Sequence, residues 1–149
     1  NQAKVLDFGS AKLKGSMDPN LTRTGRTIGT PAFMAPEQIM GEEITPQTDL
    51  YAVGLLMYVG LSGLRPFGGD NAFETMYSVL ERKRTRLDEA RPDLPSAVVS
   101  LIERALMPKP TDRFGSALTM QRAVEAVLRQ SALFEREAQL RDVKTGPTR

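Results

Sequence analysis

Leu6-Asp7-Phe8-Gly9 opens a stretch that closes, after a polar loop, with Gly29-Thr30-Pro31-Ala32-Phe33-Met34-Ala35-Pro36-Glu37. Lys4-Val5-Leu6 is a short β-prone run that delivers Asp7 to a strand end. Ser10 to Lys14 alternates small or polar with apolar residues, the pattern of a second short strand. Taken alone, Asp7 and Gly9 read as a surface turn, because both residue types favour turns. Gly15 to Gly29 has no apolar periodicity: Ser16, Asp18, Pro19, Asn20, Thr22, Thr24 and Thr27 are interspersed with Arg23 and Arg26, the composition of a loop. A phosphate on one of those hydroxyls would gain charge-assisted hydrogen bonds from Arg23, Arg26 and Lys12.

The 149 residues suit one domain with a sizeable core. With 40% hydrophobic and 26% charged residues and a net charge of +2, the composition is that of an ordinary globular protein and gives no pointer to nucleic acid. Cysteine and histidine are both absent. That excludes disulfides, thiolate metal sites and the commonest general base, and leaves acid–base or metal chemistry to carboxylates. The first ten residues lack a signal-peptide pattern. The longest apolar run, Leu50 to Leu61, is too short for a bilayer, which takes about 20 residues. Residue 1 is Asn, for which truncation is the simplest expectation.

Downstream, Thr45-Pro46 reads as an N-cap followed by the first helical position. The helix that follows is apolar nearly all round, from Leu50, Tyr51 and Val53 to Tyr58, Val59 and Leu61, so it is expected at the centre of the core. Ser62-Gly63 ends it. Further helices are expected from Asn71 to about Lys83, from Ala97 to Leu106, and from a Ser116 cap onward. Met107-Pro108-Lys109-Pro110 stops the second of these. The final helix is expected to fray or extend through Phe134 and Leu140, and Lys144 to Arg149 to be linker.

The compound pattern of Asp7-Phe8-Gly9, a Thr-rich loop, Gly29-Thr30-Pro31 and Ala35-Pro36-Glu37 resembles the activation segment of protein kinases. Asp49-Leu50-Tyr51-Ala52-Val53-Gly54 resembles the signature of the helix around which kinase large lobes are built. Pro36-Glu37-Gln38 and the ending Pro110…Arg113-Phe114 are similar to the bacterial, Hanks-type serine/threonine kinases. The resemblance covers residues 1–130, with the activation segment at 7–37, and leaves 131–149 as a helical extension and linker tail. It implies a mainly α fold, the large lobe of an α+β domain, with short N-terminal strands and several helices around a buried central one.

The resemblance also implies roles. Asp7 would be the catalytic, cofactor-binding and metal residue, holding Mg²⁺ with the phosphates of ATP; Phe8 and Gly9 would be structural. Thr22 and Thr24 align with activation-loop phosphosites, and Lys12 with the basic residue that contacts such a phosphate. Thr30 would line the substrate pocket and favours Ser/Thr over Tyr as acceptor. Glu37 and Arg113 would form a buried ion pair, whereas two arbitrary charges would read as solvated. Asp49 would hold the backbone of the catalytic loop, and a carboxylate at the head of a buried helix needs such partners. Phe33 stands where relatives carry an aromatic residue, usually Tyr. Val59 replaces a frequent Glu, which weakens any preference for basic substrates.

Phosphoryl transfer also needs a Gly-rich loop, a strand Lys paired with a Glu, and a catalytic-loop Asp with its Asn. None is in this sequence. The expectation is therefore a catalytically incomplete fragment of a kinase that moves the γ-phosphoryl group of ATP to Ser/Thr hydroxyls of proteins. ATP and Mg²⁺ are its cofactors, and the missing N-lobe and catalytic loop are its partners, without nucleic acid. Its place is the cytoplasm, or the cytoplasmic face of a membrane reached through a segment outside this chain. The alternative is a non-catalytic, pseudokinase-like interaction module, against which an intact Asp7, Thr30 and Glu37 argue, because a scaffold has no need of a metal ligand. A small all-helical adaptor would make the Thr-rich loop accidental.

Overall fold

Thr45, in extended backbone at φ −123°, and Pro46 start the helix that organises the rest, and Gly63 ends it. In the computed structural model the described residues are 31–144, with side chains described as far as residue 130. They form helices α1 (Pro36–Met40), α2 (Pro46–Ser62), α3 (Ala72–Leu80), α4 (Leu87–Ala90), α5 (Ser96–Ala105) and α6 (Ala117–Lys144). Single 3₁₀ turns lie at Pro31–Phe33 and Pro110–Asp112. The described residues are thus mainly α, as the sequence implies. The short strands expected near Asp7 fall outside them.

Proline sets φ for the first turn of α2 and lacks only an N–H that would have gone unpaired there. At the far end Gly63 takes φ 69° and donates its N–H to the Val59 carbonyl at 2.8 Å, a left-handed conformation that glycine adopts without a Cβ penalty. The Thr45 side chain makes no cap bond. Thr48 Oγ1 instead reaches back to accept from the Thr45 N–H at 3.2 Å.

The helix α2 packs on α4, α5 and the Pro110–Asp112 turn. Leu55 and Tyr58 are completely buried in the core they share with Leu87, Ile102, Ala105 and Phe114. Each of the leucine, isoleucine and phenylalanine side chains contributes roughly 1.5–3 kcal/mol of apolar transfer. The crossing with α5 is close: a Cβ on Gly54 would stand 2.7 Å from Ala105 Cβ and 3.1 Å from Leu106 Cδ2. Small residues meet here because the backbones approach too nearly for larger ones. On the opposite side of α2, Val53 and Leu56 are exposed, Leu56 by 62%.

Asn71 caps α3 by accepting from the Glu74 N–H at 2.9 Å. Pro108 and Pro110, which have no N–H to continue a helix, follow the end of α5 and introduce the turn at Pro110–Asp112. Ser116 Oγ accepts from the Thr119 N–H at 3.1 Å and starts α6. That helix runs 28 residues through Phe134 and Leu140 to Lys144, about 42 Å at 1.5 Å per residue.

Candidate functional site

Three of the residues singled out from sequence, Glu37, Asp49 and Arg113, lie among the described residues; Asp7, Phe8, Gly9, Lys12, Thr22, Thr24 and Thr30 lie outside them. The structure brings Glu37 and Arg113 together across 76 residues. Glu37 sits in the first turn of α1, behind Pro36. Arg113 leaves the Pro110–Asp112 turn in extended conformation, its N–H bonded to the Pro110 carbonyl at 3.2 Å. The turn folds the side chain back over the chain that precedes it.

Arg113 Nη1 donates to Glu37 Oε1 at 2.7 Å and Nη2 to Oε2 at 2.8 Å, a bidentate pair. The remaining donors meet backbone carbonyls: Nε that of Met107 at 2.7 Å, Nη1 that of Gln47 at 3.1 Å, Nη2 that of Pro108 at 2.8 Å. All five N–H groups of the guanidinium are therefore used. Its Cζ lies 4.7 Å from the centroid of the Tyr51 ring, a cation–π contact. Thr48 Oγ1 adds a third donor to Glu37, on Oε1 at 2.8 Å. The two charged side chains are 0% and 1% exposed.

Burial opposes a charge on Glu37, but hydrogen bonds from Arg113 and Thr48 and the guanidinium charge outweigh it and hold the carboxyl below its ordinary 4.5. Burial also pushes the Tyr51 hydroxyl up to about 12. A saturated guanidinium and a sealed carboxylate have nothing to offer a substrate. Their chemistry is that of an anchor, joining the end of the 7–37 stretch to the head of α2 and to the loop after α5.

Asp49, one residue beyond Thr48, is exposed and has no hydrogen bond or ion pair among the described residues. The catalytic-loop backbone expected as its partner is not among them. Among the described residues no cluster of three or more acidic side chains could hold a metal ion, and no helix is long and apolar enough to cross a membrane. Met57, Gly60 and Leu61 of α2, Val98 and Leu101 of α5, and Val124, Val127 and Leu128 of α6 line an open apolar groove of about 400 Å³.

Sequence reasoning missed a second, half-buried pair. Arg84 Nη1 and Nη2 donate to the two carboxylate oxygens of Glu103 at 3.0 and 2.7 Å. Arg84 lies 5.5 Å from the Tyr58 ring centroid, and the Tyr58 hydroxyl donates to the Thr85 carbonyl at 2.8 Å. No motif surrounds either charge. The usable signal was Tyr51 and Tyr58 themselves, two turns apart on a buried helix, each with a polar tip and a ring face to be matched.

A family model described as "Protein kinase domain" matches residues 1–127. The serine/threonine-protein kinase pkn3 of Myxococcus xanthus is 41% identical over 83% of this chain and 23% of its own length. The serine/threonine-protein kinase PknA of Mycobacterium tuberculosis is 37% identical over 85% of this chain and 28% of its own. The tyrosine-protein kinase MasK of Myxococcus xanthus is 36% identical over 85% and 19%. The chain thus spans less than a third of the length of these relatives. The solved twitchin kinase region from C. elegans superimposes with a TM-score of 0.57 at 35% identity, over 66% of this chain and 17% of that one. With the family model spanning residues 1–127 and the Glu37–Arg113 anchor joining two of its motifs, the chain belongs to the protein kinase domain family.

Proposed function

We propose that this chain is the C-terminal part of the catalytic domain of a serine/threonine protein kinase, which transfers the γ-phosphoryl group of ATP to protein Ser/Thr hydroxyls. The observation that carries the reading is the stretch from Asp7-Phe8-Gly9 to Ala35-Pro36-Glu37, whose last residue is sealed against Arg113. Asp7 holds Mg²⁺, which supplies charge neutralisation at the nucleotide phosphates when bound. Thr22 and Thr24 are switch hydroxyls whose phosphates Lys12 and the neighbouring arginines would pair. Thr30 lines the acceptor pocket; it and the similarity to the serine/threonine-protein kinases pkn3 and PknA favour Ser/Thr, while MasK is a tyrosine-protein kinase. The exposed Val53 and Leu56 on the side of α2 away from α5, together with Asp49, which has no partner among the described residues, support a seat for the remainder of the same domain, with its N-lobe and catalytic loop. An enzyme that spends ATP on proteins belongs in the cytoplasm or at its membrane face.

The test extends the chain upstream by its own coding sequence and measures Mg²⁺-dependent ATP binding and phosphate transfer to Ser/Thr of a protein substrate. The reading expects His-Arg-Asp-type and Val-Ala-x-Lys-type motifs in that extension, and loss of both activities on Asp7→Ala. An upstream frame without those motifs, or ATP binding indifferent to Asp7→Ala, would leave a non-catalytic interaction module.

A further inference from the structure

Two consecutive residues at the head of α2 address the anchor with opposite polarity. Gln47 offers its backbone carbonyl to Arg113 Nη1 at 3.1 Å, and Thr48 offers its hydroxyl proton to Glu37 Oε1 at 2.8 Å. Thr48 is 3% exposed. Its hydroxyl has one proton and two lone pairs. The proton goes to Glu37, and a lone pair takes the Thr45 N–H at 3.2 Å. Without that hydroxyl, none of the bonds to the Glu37 carboxylate would come from α2. Arg113 would still fix the carboxylate, but from one side only.

We propose that Thr48 is a positioning residue: its hydroxyl fixes the Glu37 carboxylate in the orientation Arg113 grips with both Nη atoms, and ties it to the first turn of α2. Serine has the same donor, and valine the same shape without it. The anchor itself stands on the geometry of the described residues, whether or not the chain serves an active enzyme. Among the described residues, the titratable groups facing Glu37 are Arg113 from the Pro110–Asp112 turn and Tyr51 from α2. Arginine stays charged and this tyrosine stays neutral throughout the acid range. An acid transition sensitive to Thr48 therefore reports on Glu37.

The experiment is acid unfolding of the whole 149-residue chain, followed by circular dichroism, for the parent, Thr48→Val and Thr48→Ser. Glu37 is held below its ordinary value, so its contribution is present above that value and is lost as pH falls through the folded one. Removing a donor to the ionised form raises the folded value. The acid midpoint of Thr48→Val should therefore rise, on the order of half a pH unit, while Thr48→Ser stays with the parent. In a Glu37→Gln background the cost of Thr48→Val should become the same at every pH, because the Thr45 N–H still loses its acceptor but no carboxylate remains to titrate. Should Thr48→Val fail to fold at neutral pH, Thr48→Cys, with a weaker donor of similar volume, carries the same comparison. Equal loss of stability at every pH, or a serine variant that behaves like valine, would reduce Thr48 to a packing residue and overturn the proposal.

Discussion

Two arginine–glutamate pairs flank α2, and they share a construction: each guanidinium is bidentate to its carboxylate and lies against a tyrosine of that helix, Tyr51 for Arg113 and Tyr58 for Arg84. They differ in closure. Arg113 and Glu37 are 0% and 1% exposed, and every guanidinium donor has a partner. Arg84 and Glu103 are 7% and 16% exposed; the Leu87 N–H is at 3.5 Å from Glu103, and Arg86 stands by as a second cation at 3.9 Å. The same charges in the same geometry thus serve one closed node and one that water and a substitute cation can reach. A deletion in the first strands a buried ion; in the second it does not.

Arg113→Ala is expected to have the largest effect, a loss of roughly 3–5 kcal/mol, because Glu37 is left charged and unpaired in the core. Urea unfolding would measure it, and a loss under about 1 kcal/mol would place the pair with solvated surface pairs. Arg84→Ala should cost less, about 1–2 kcal/mol, since Glu103 keeps solvent and Arg86. Equal costs for the two variants would break the comparison and show that exposure is not what separates the pairs.

Acid titration sharpens it further. For both glutamates burial pushes upward but the arginine hydrogen bonds prevail, so both folded carboxyls lie below the ordinary value. Each therefore stabilises the fold above that value and ceases to do so as pH drops through its folded value. Glu37→Gln should flatten the acid limb of the stability curve more than Glu103→Gln does, with the reverse ranking counting against a closed first node. The smallest effect belongs to the exposed pair Arg91–Asp93, where hydrogen bonds from Arg91 hold the Asp93 carboxyl down to about 2. Asp93→Asn should leave the urea midpoint where it was, because a perturbed titration at the surface is screened and carries little stability.

The helices were legible because their signals are local. Thr45-Pro46 and Gly63 bracket α2, Pro108 and Pro110 follow the end of α5, and Ser116 opens α6, each through its own backbone chemistry. Glu37 and Arg113 were legible only through resemblance, since nothing in the physics of either residue names a partner 76 positions away. The roles of Thr48 and Tyr51 were not legible, because a threonine and a tyrosine on an apolar helix read as cap and core. Nor was the uncovered side of α2: an all-round apolar helix states that it needs cover, but not from which segment. Arg84 and Glu103 carried no pattern beyond charge, and only folding of the 82–86 stretch against α5 joins them.

The most direct measurement is a double-mutant cycle on Glu37 and Arg113 with apolar replacements of similar size, Glu37→Leu and Arg113→Met, read by urea unfolding. Each single variant leaves one buried ion alone, and the double variant leaves none. The anchor predicts that the double variant recovers much of the loss, with a coupling of about 2–3 kcal/mol between the sites. Costs that add to within about 0.5 kcal/mol would mean that the two residues do not act as one unit, and the account of the anchor would fail.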